Sequence, residues 1–116
     1  MSVIIYHNPR CSKSRETLKL LQEQHIEPKI ELYLENRYSI DQLKDLMKKL
    51  GIVSAREMMR VKDDLYKDLQ LDAQKVTEEQ LLQAISEHSA LLERPIVING
   101  DKAKIGRPPE VVLSIL

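Results

Sequence analysis

Cys11 is the only cysteine of the chain, and it stands among cations and hydrogen-bond donors in the run Tyr6-His7-Asn8-Pro9-Arg10-Cys11-Ser12-Lys13-Ser14-Arg15. A β-branched apolar run, Val3 to Tyr6, precedes the segment, and a helical pattern follows it from Ser12 to about Gln24. Cys11 therefore falls between a buried strand and a helix N-terminus, where unpaired backbone amides and the positive end of the helix dipole favour a thiolate. Cysteines so placed titrate at about 3.5–7.5, against roughly 8.5 for a free thiol. The same amides and charges attract a tetrahedral oxyanion, so one loop can activate a sulfur and hold its anionic target. A lone cysteine is ordinarily a small buried hydrophobe. Here His7, Arg10, Lys13 and Arg15 shift the balance toward a reactive one.

The Cys11-Ser12-Lys13-Ser14 stretch has C-x-x-S spacing. A C-x-x-C site resolves a mixed disulfide internally, which Ser14 cannot do. With no second cysteine in the sequence, an external thiol such as glutathione must resolve any oxidised intermediate. Ser14 has two readings: it donates a hydrogen bond to the thiolate, or it is a helix-turn hydroxyl. His7 also has two: it polarises the thiolate, or it caps the strand end. The spacing of His7, Cys11, His25 and His88 matches no recognised zinc pattern, and no tightly bound cofactor is expected.

The elements that must position these residues follow from pattern. At 116 residues the chain fits one domain, spanning 1–116, that can bury roughly two-thirds of its unfolded surface without disulfides. With no Trp or Phe, the core is expected from Leu, Ile, Val and Met. The helix after Cys11 offers Leu18, Leu20 and Leu21 as its apolar stripe, and His25 tolerates the left-handed region at its end. Lys29 to Leu34 alternates as a second strand, which makes a βαβ unit with an expected parallel, right-handed pairing. Ser39, Ser54 and Thr77 each begin a capping-box spacing, and Gly51 sits where the first of those helices needs a left-handed residue. Ile96-Val97-Ile98, Asn99-Gly100 and Ala103-Lys104-Ile105 predict a hairpin with a tight Asn-Gly turn. Gly106-Arg107-Pro108-Pro109-Glu110 then opens a final helix. The order βαβ, helical insert, ββ, α is that of an α/β thioredoxin-like fold. Its sheet is small and mixed, with a helical insertion between the second and third strands.

Composition limits the partners. Eighteen basic and eighteen acidic residues argue against a whole-molecule footprint for nucleic acid, so an anion site must be local. No segment reaches transmembrane length, and the apolar N-terminal run is too short for a signal sequence. A single free thiol favours the reducing cytoplasm.

The run His7-Asn8-Pro9-x-Cys11-x-x-Ser14-Arg15 resembles the active-site loop of the glutathione/glutaredoxin-coupled arsenate reductases. The likeness continues through Glu31-Leu32-Tyr33-Leu34-Glu35, the Arg60 segment, Glu93-Arg94-Pro95-Ile96-Val97 and Gly106-Arg107-Pro108-Pro109-Glu110-Val111-Val112. It covers essentially the whole chain and is strongest toward the short bacterial arsenate reductase-like members. The C-x5-R loop of the phosphatase-like arsenate reductases is absent, because Arg15 follows Cys11 after only three residues. The resemblance implies that a Cys11 thiolate attacks arsenate and displaces water, that glutathione and glutaredoxin complete the reduction, and that arsenite leaves by hydrolysis. It implies that Arg60, Arg94 and Arg107 hold the oxyanion, that His7 orients the thiolate, and that a cis bond precedes Pro95. Guanidinium forks suit such an anion because they pair bidentately and stay charged. The bland reading of Arg60 is a solvated helix residue in Arg56-Glu57-Met58-Met59-Arg60. At His88 the family's His-Pro is broken by Ser89.

Two other functions are open to this sequence. A monothiol, glutaredoxin-like oxidoreductase acting on glutathione mixed disulfides would need C-x-x-S and no oxyanion site. A polymerase-binding regulator of the same fold commonly carries C-x-x-C, where this chain has Ser14.

Overall fold

The computed structural model describes residues 3–116; of the expected domain span 1–116, Met1 and Ser2 lie outside the described residues. Four strands form one sheet in the order β2-β1-β3-β4. Strand β1 (Val3–Tyr6) pairs in parallel with β2 (Lys29–Glu31) and antiparallel with β3 (Ile96–Asn99), which turns back into β4 (Lys102–Ile105). Helix α1 (Ser12–Glu23) makes the β1–β2 crossover, and α2 (Ile40–Leu50), α3 (Asp64–Asp68) and α4 (Glu78–Glu87) occupy the insertion before β3. The fold is thioredoxin-like, with the helical insertion between the second and third strands.

Alternation along the strands splits the core in two. Val3, Ile5 and Val97 meet Leu21 of α1 and Val112 on one face. Ile96, Ile98 and Ala103 join the larger cluster built by the insertion on the other. One expectation about that cluster is corrected: Tyr33, Tyr38 and Tyr66 are buried in it beside the aliphatic residues and methionines. Rings supply the bulk that the missing Phe and Trp would have given.

The capping boxes at Ser39, Ser54 and Thr77 are all formed, but they start elements of different length. The Ser54 box opens only a 3₁₀ turn, Ala55–Met58, after which Met59 is extended and pairs with Leu92. Gly51 and His25 take φ 72° and 61°, as the ends of α2 and α1 require. Further corrections concern boundaries. On α1 the buried positions are Ser14, Thr17 and Leu21, with Leu18 and Leu20 only partly covered. The second strand stops at Glu31 instead of running to Leu34, because the chain turns into a 3₁₀ helix, Tyr33–Glu35, that drives the Tyr33 ring into the core. In the hairpin, Asn99 still pairs with Lys102, so the turn residues are Gly100 and Asp101. Gly100 takes φ 65° at the first turn position, where a II′ turn calls for glycine. The final helix is 3₁₀, Pro109–Ile115.

Candidate active site

Cys11 is the N-cap residue of α1, with extended backbone (φ −96°, ψ 124°). Its amide donates to Asn8 O and its carbonyl accepts from Arg15 N–H, each at 3.0 Å. This turn leaves the first amides of α1 free to face the sulfur, which is partly exposed. Partial burial pushes the Cys11 thiol pKa up. The backbone amides of Ser14 and Lys13, with hydrogen bonding and charge from Arg94, more than reverse that, and the thiol titrates below its ordinary range. Helix-start amides and a guanidinium together favour its thiolate form.

The floor of the loop is a polar network. The Ser14 hydroxyl lies 2.6 Å from His7 Nδ1 and accepts from Asn8 N–H at 3.0 Å, and Asn8 Oδ1 accepts from Arg10 N–H at 3.0 Å. Ser14, His7 and Asn8 are buried. Two expectations change here. The Ser14 hydroxyl belongs to His7 and Asn8, and it is the Ser14 amide that serves the sulfur. His7 accordingly reaches the thiol only through Ser14. Burial, with the Arg15 charge, pulls its pKa down, which favours a neutral ring able to accept the Ser14 hydroxyl proton. Arg15 itself ties Nη1 to Pro9 O at 2.9 Å and braces the loop from outside.

The three arginines arrive from distant parts of the chain. Arg107 Nη2 lies 3.8 Å from Cys11 Sγ, while its Nε donates to Arg94 O at 2.8 Å and sits 3.5 Å from a Glu93 carboxylate oxygen. Partial burial pushes the Arg94 pKa down, and interaction with the Cys11 thiol and the Tyr33 hydroxyl more than reverses that. Arg60 is not on a helix. It leaves the 3₁₀ turn in an extended segment clipped to the Arg94 segment by Arg60 N–H to Leu91 O (2.8 Å) and Glu93 N–H to Met58 O (2.9 Å). Its guanidinium is 3.5 Å from Asp63 and shares with Arg107 a groove of 540 Å³ whose floor includes Met59. Arg107 thus reaches the sulfur directly, Arg94 acts on it by hydrogen bonding and charge, and Arg60 lines the neighbouring groove together with Arg107.

Peptide bonds Arg94–Pro95 and Arg107–Pro108 are both cis; the first was expected, the second was not. Pro95 O accepts from Gly106 N–H at 2.9 Å, which sets the two arginine-bearing segments side by side. Tyr33 is the neighbour of the site that pattern reading missed, since inside an alternating run it reads as one more strand residue. A second is Thr17, buried on α1 below the loop, for which only a close approach by Gly106 leaves a trace in the sequence.

A thiolate at a helix start, ringed by guanidinium groups that come from the two cis-proline segments, finds its counterpart in a family model. Residues 6–115 match the model described as the ArsC family. The chain belongs to the ArsC family. Among its relatives, the arsenate reductase of Haemophilus influenzae is 66% identical over the full length of both chains. An arsenate reductase of Escherichia coli is 42% identical over 99% of this chain and 81% of its own. The solved arsenate reductase from Vibrio cholerae superposes with a TM-score of 0.97 at 52% identity, covering 100% of this chain and 98% of that one. Among the described residues no helix is long and apolar enough to cross a membrane.

Proposed function

We propose that this chain is a single-domain arsenate reductase in which Cys11 is the nucleophile, with glutathione and glutaredoxin as electron donors and the cytoplasm as its place of work. The observation that carries the reading is the pairing of an acidified, partly exposed thiol with the Arg107 and Arg94 guanidinium groups. Names borne by relatives of up to 66% identity point the same way.

In this scheme the Cys11 thiolate attacks arsenic, a S–As bond forms, and one oxygen leaves as water after taking up protons. Arg60, Arg94 and Arg107 neutralise the charge that builds on the remaining oxygens. His7 and Ser14 keep the loop amides aimed at the sulfur. A glutathione thiol then displaces a second oxygen as water, leaving arsenic(V) bonded to two sulfurs. A glutaredoxin thiolate attacks the glutathione sulfur; the S–As bond breaks, its electron pair reduces arsenic(V) to arsenic(III), and the glutaredoxin–glutathione disulfide carries the oxidation away. Hydrolysis of the Cys11–arsenic(III) bond releases arsenite. The borrowed thiols are required because the sequence holds one cysteine.

Purified protein with arsenate and glutathione is expected to form arsenite when glutaredoxin is added and far less without it, and Cys11→Ser is expected to abolish turnover while keeping the fold. Folded wild-type protein that forms no arsenite in the complete mixture refutes the proposal.

A further inference from the structure

The groove shared by Arg60 and Arg107 is far larger than an oxyanion needs. Its 540 Å³ falls in the range of small-molecule sites, roughly 300–1,000 Å³, whereas a tetrahedral oxyanion is a single central atom with its oxygens. It lies next to the thiol, because Arg107 lines it and holds Nη2 3.8 Å from Cys11 Sγ. The lining carries both signs, with Glu57, Asp63 and Glu93 among the cations. Those carboxylates repel a bare anion but suit an occupant that carries an ammonium as well as carboxylates. Most of the charges are already engaged. Arg60 sits 3.5 Å from Asp63, and Arg107 sits 3.5 Å from Glu93. Arg56 donates to the carbonyls of Leu71 and Ala73, and Glu57 accepts from the amides of Val53 and Ser54. Lys62 is exposed and, among the described residues, makes no ion pair. The adjacent Val61 is an exposed apolar residue of the same lining.

We propose that this groove is the subsite for the thiol co-substrate, glutathione: its sulfur faces Cys11 past Arg107, a carboxylate meets Lys62, and its methylenes lie against Val61. The inference rests on the arsenate reductase reading, which requires an external thiol because the chain has one cysteine. It adds the place where that thiol is held. Glutathione carries carboxylates at both ends and an ammonium at one, joined by methylenes and amides, so it matches a lining of mixed sign with an apolar stretch. An oxyanion bonded to Cys11 takes up the Arg107 end and leaves the rest of the groove to the peptide. Attack of the glutathione sulfur on arsenic, with one oxygen leaving as water, then takes place between held neighbours instead of by collision from solution.

Lys62→Glu reverses the unengaged charge, and Val61→Glu puts a carboxylate where the methylenes lie. Both positions are exposed, so the fold should survive either change. Lys29→Glu, on β2 and outside the groove, is the charge-matched control. Steady-state kinetics with saturating glutaredoxin reads KM for glutathione and KM for arsenate separately. The expected result is a KM for glutathione about fivefold higher in Lys62→Glu, the scale of an exposed ion pair, with a comparable rise in Val61→Glu. KM for arsenate should barely move, and Lys29→Glu should match wild type. Equal rises in both KM values overturn the proposal, because the groove would then serve the oxyanion alone. A rise shared by Lys29→Glu overturns it too, as an effect of net charge. A second readout needs no turnover: S-methylglutathione, whose blocked sulfur cannot attack, should shift the backbone NMR resonances of residues 59–63 in wild-type protein and bind more weakly to Lys62→Glu. Shifts confined to other parts of the chain, or none, overturn the proposal. If folded wild-type protein forms no arsenite while S-methylglutathione still shifts residues 59–63, the reductase reading fails and the glutathione subsite stands.

Discussion

The thiol loop and the arginine face meet at Cys11 but are built in opposite ways. The side-chain hydrogen bonds that shape the loop join residues at most seven apart in sequence, such as His7 with Ser14 and Asn8 with Ser14, and His7 N–H to Glu31 O is a backbone tie to the neighbouring strand. The contact between Arg107 and Cys11 joins residues 96 apart. Local chain chemistry thus supplies the backbone amides that act on the sulfur, whereas the share of its acidification that comes from Arg94 exists only once the strands and the insertion have packed. The Met59–Leu92 bridge, with its flanking backbone bonds, and the Gly106–Pro95 bond are the clips that bring the second half together.

The largest effect that tests this division is expected from Arg107→Ala. If the arginine face serves the anion and leaves the fold to other contacts, kcat/KM for arsenate should fall about 10²–10³-fold, the scale for loss of one donor to a developing oxyanion. The melting temperature should barely move, because the pairing with Glu93 is partly exposed. Steady-state kinetics beside a thermal melt separates the two. A variant that loses stability and activity in step would show that Arg107 is a structural clip.

Gly106→Ala probes the seam between the halves. A Cβ there would stand 2.8 Å from Thr17 Oγ1 and 2.9 Å from Pro95 Cγ, so α1 and the Arg94 segment would both have to give way. Thr17 is held by its bond to Lys13 O at 2.8 Å and is fully buried, so it has little freedom to move. Overpacking of this kind costs about 1–3 kcal/mol, or roughly 4–12 °C in Tm for a chain of this size. Activity should fall as well, since the clash pushes Arg107 and Arg94 away from the thiol. An unchanged Tm would mean that the two halves are joined more loosely than the contact distances imply.

The same division explains what the sequence disclosed. Residues whose role is settled within a turn or two were legible: Cys11 at a helix start, the Ser39 and Thr77 caps, Gly51 and His25 at helix ends, and the hairpin near Asn99. Errors arose where tertiary contacts overrule local pattern. Tyr33 ends β2 early because the core wants its ring. The segment after Ser54 abandons its helix because Met59 pairs with Leu92, which turns Arg60 from a presumed helix residue into a groove residue. Gly100 and Asp101 take the turn because Asn99 stays in register with Lys102. That Arg60, Arg94 and Arg107 belong together was available only through family resemblance, since no local pattern links positions so far apart.

The smallest expected effect tests whether the loop is as self-contained as its contacts suggest. His7 has a pKa below the ordinary 6.5, through burial first and the Arg15 charge second. The unfolded chain therefore binds a proton at His7 more readily than the folded one. By linkage, the stability contributed by neutral His7 is complete above about pH 6.5 and is lost as pH falls from there toward the folded-state pKa. The physical event is protonation of the nitrogen that accepts from Ser14, which leaves a buried hydroxyl and a buried cation facing each other. Urea unfolding at stepped pH from 7.5 to 5 should show wild type losing stability below pH 6.5 more steeply than His7→Asn, whose amide oxygen can accept from Ser14 without titrating. The alkylation rate of Cys11, corrected for its own thiolate fraction, should dip over the same range, because a loosened Ser14 disturbs the amide that faces the sulfur. Identical pH slopes for the two proteins would mean that the ring nitrogen is not the acceptor. The loop would then owe its shape to the backbone bonds of Asn8 and Cys11 alone.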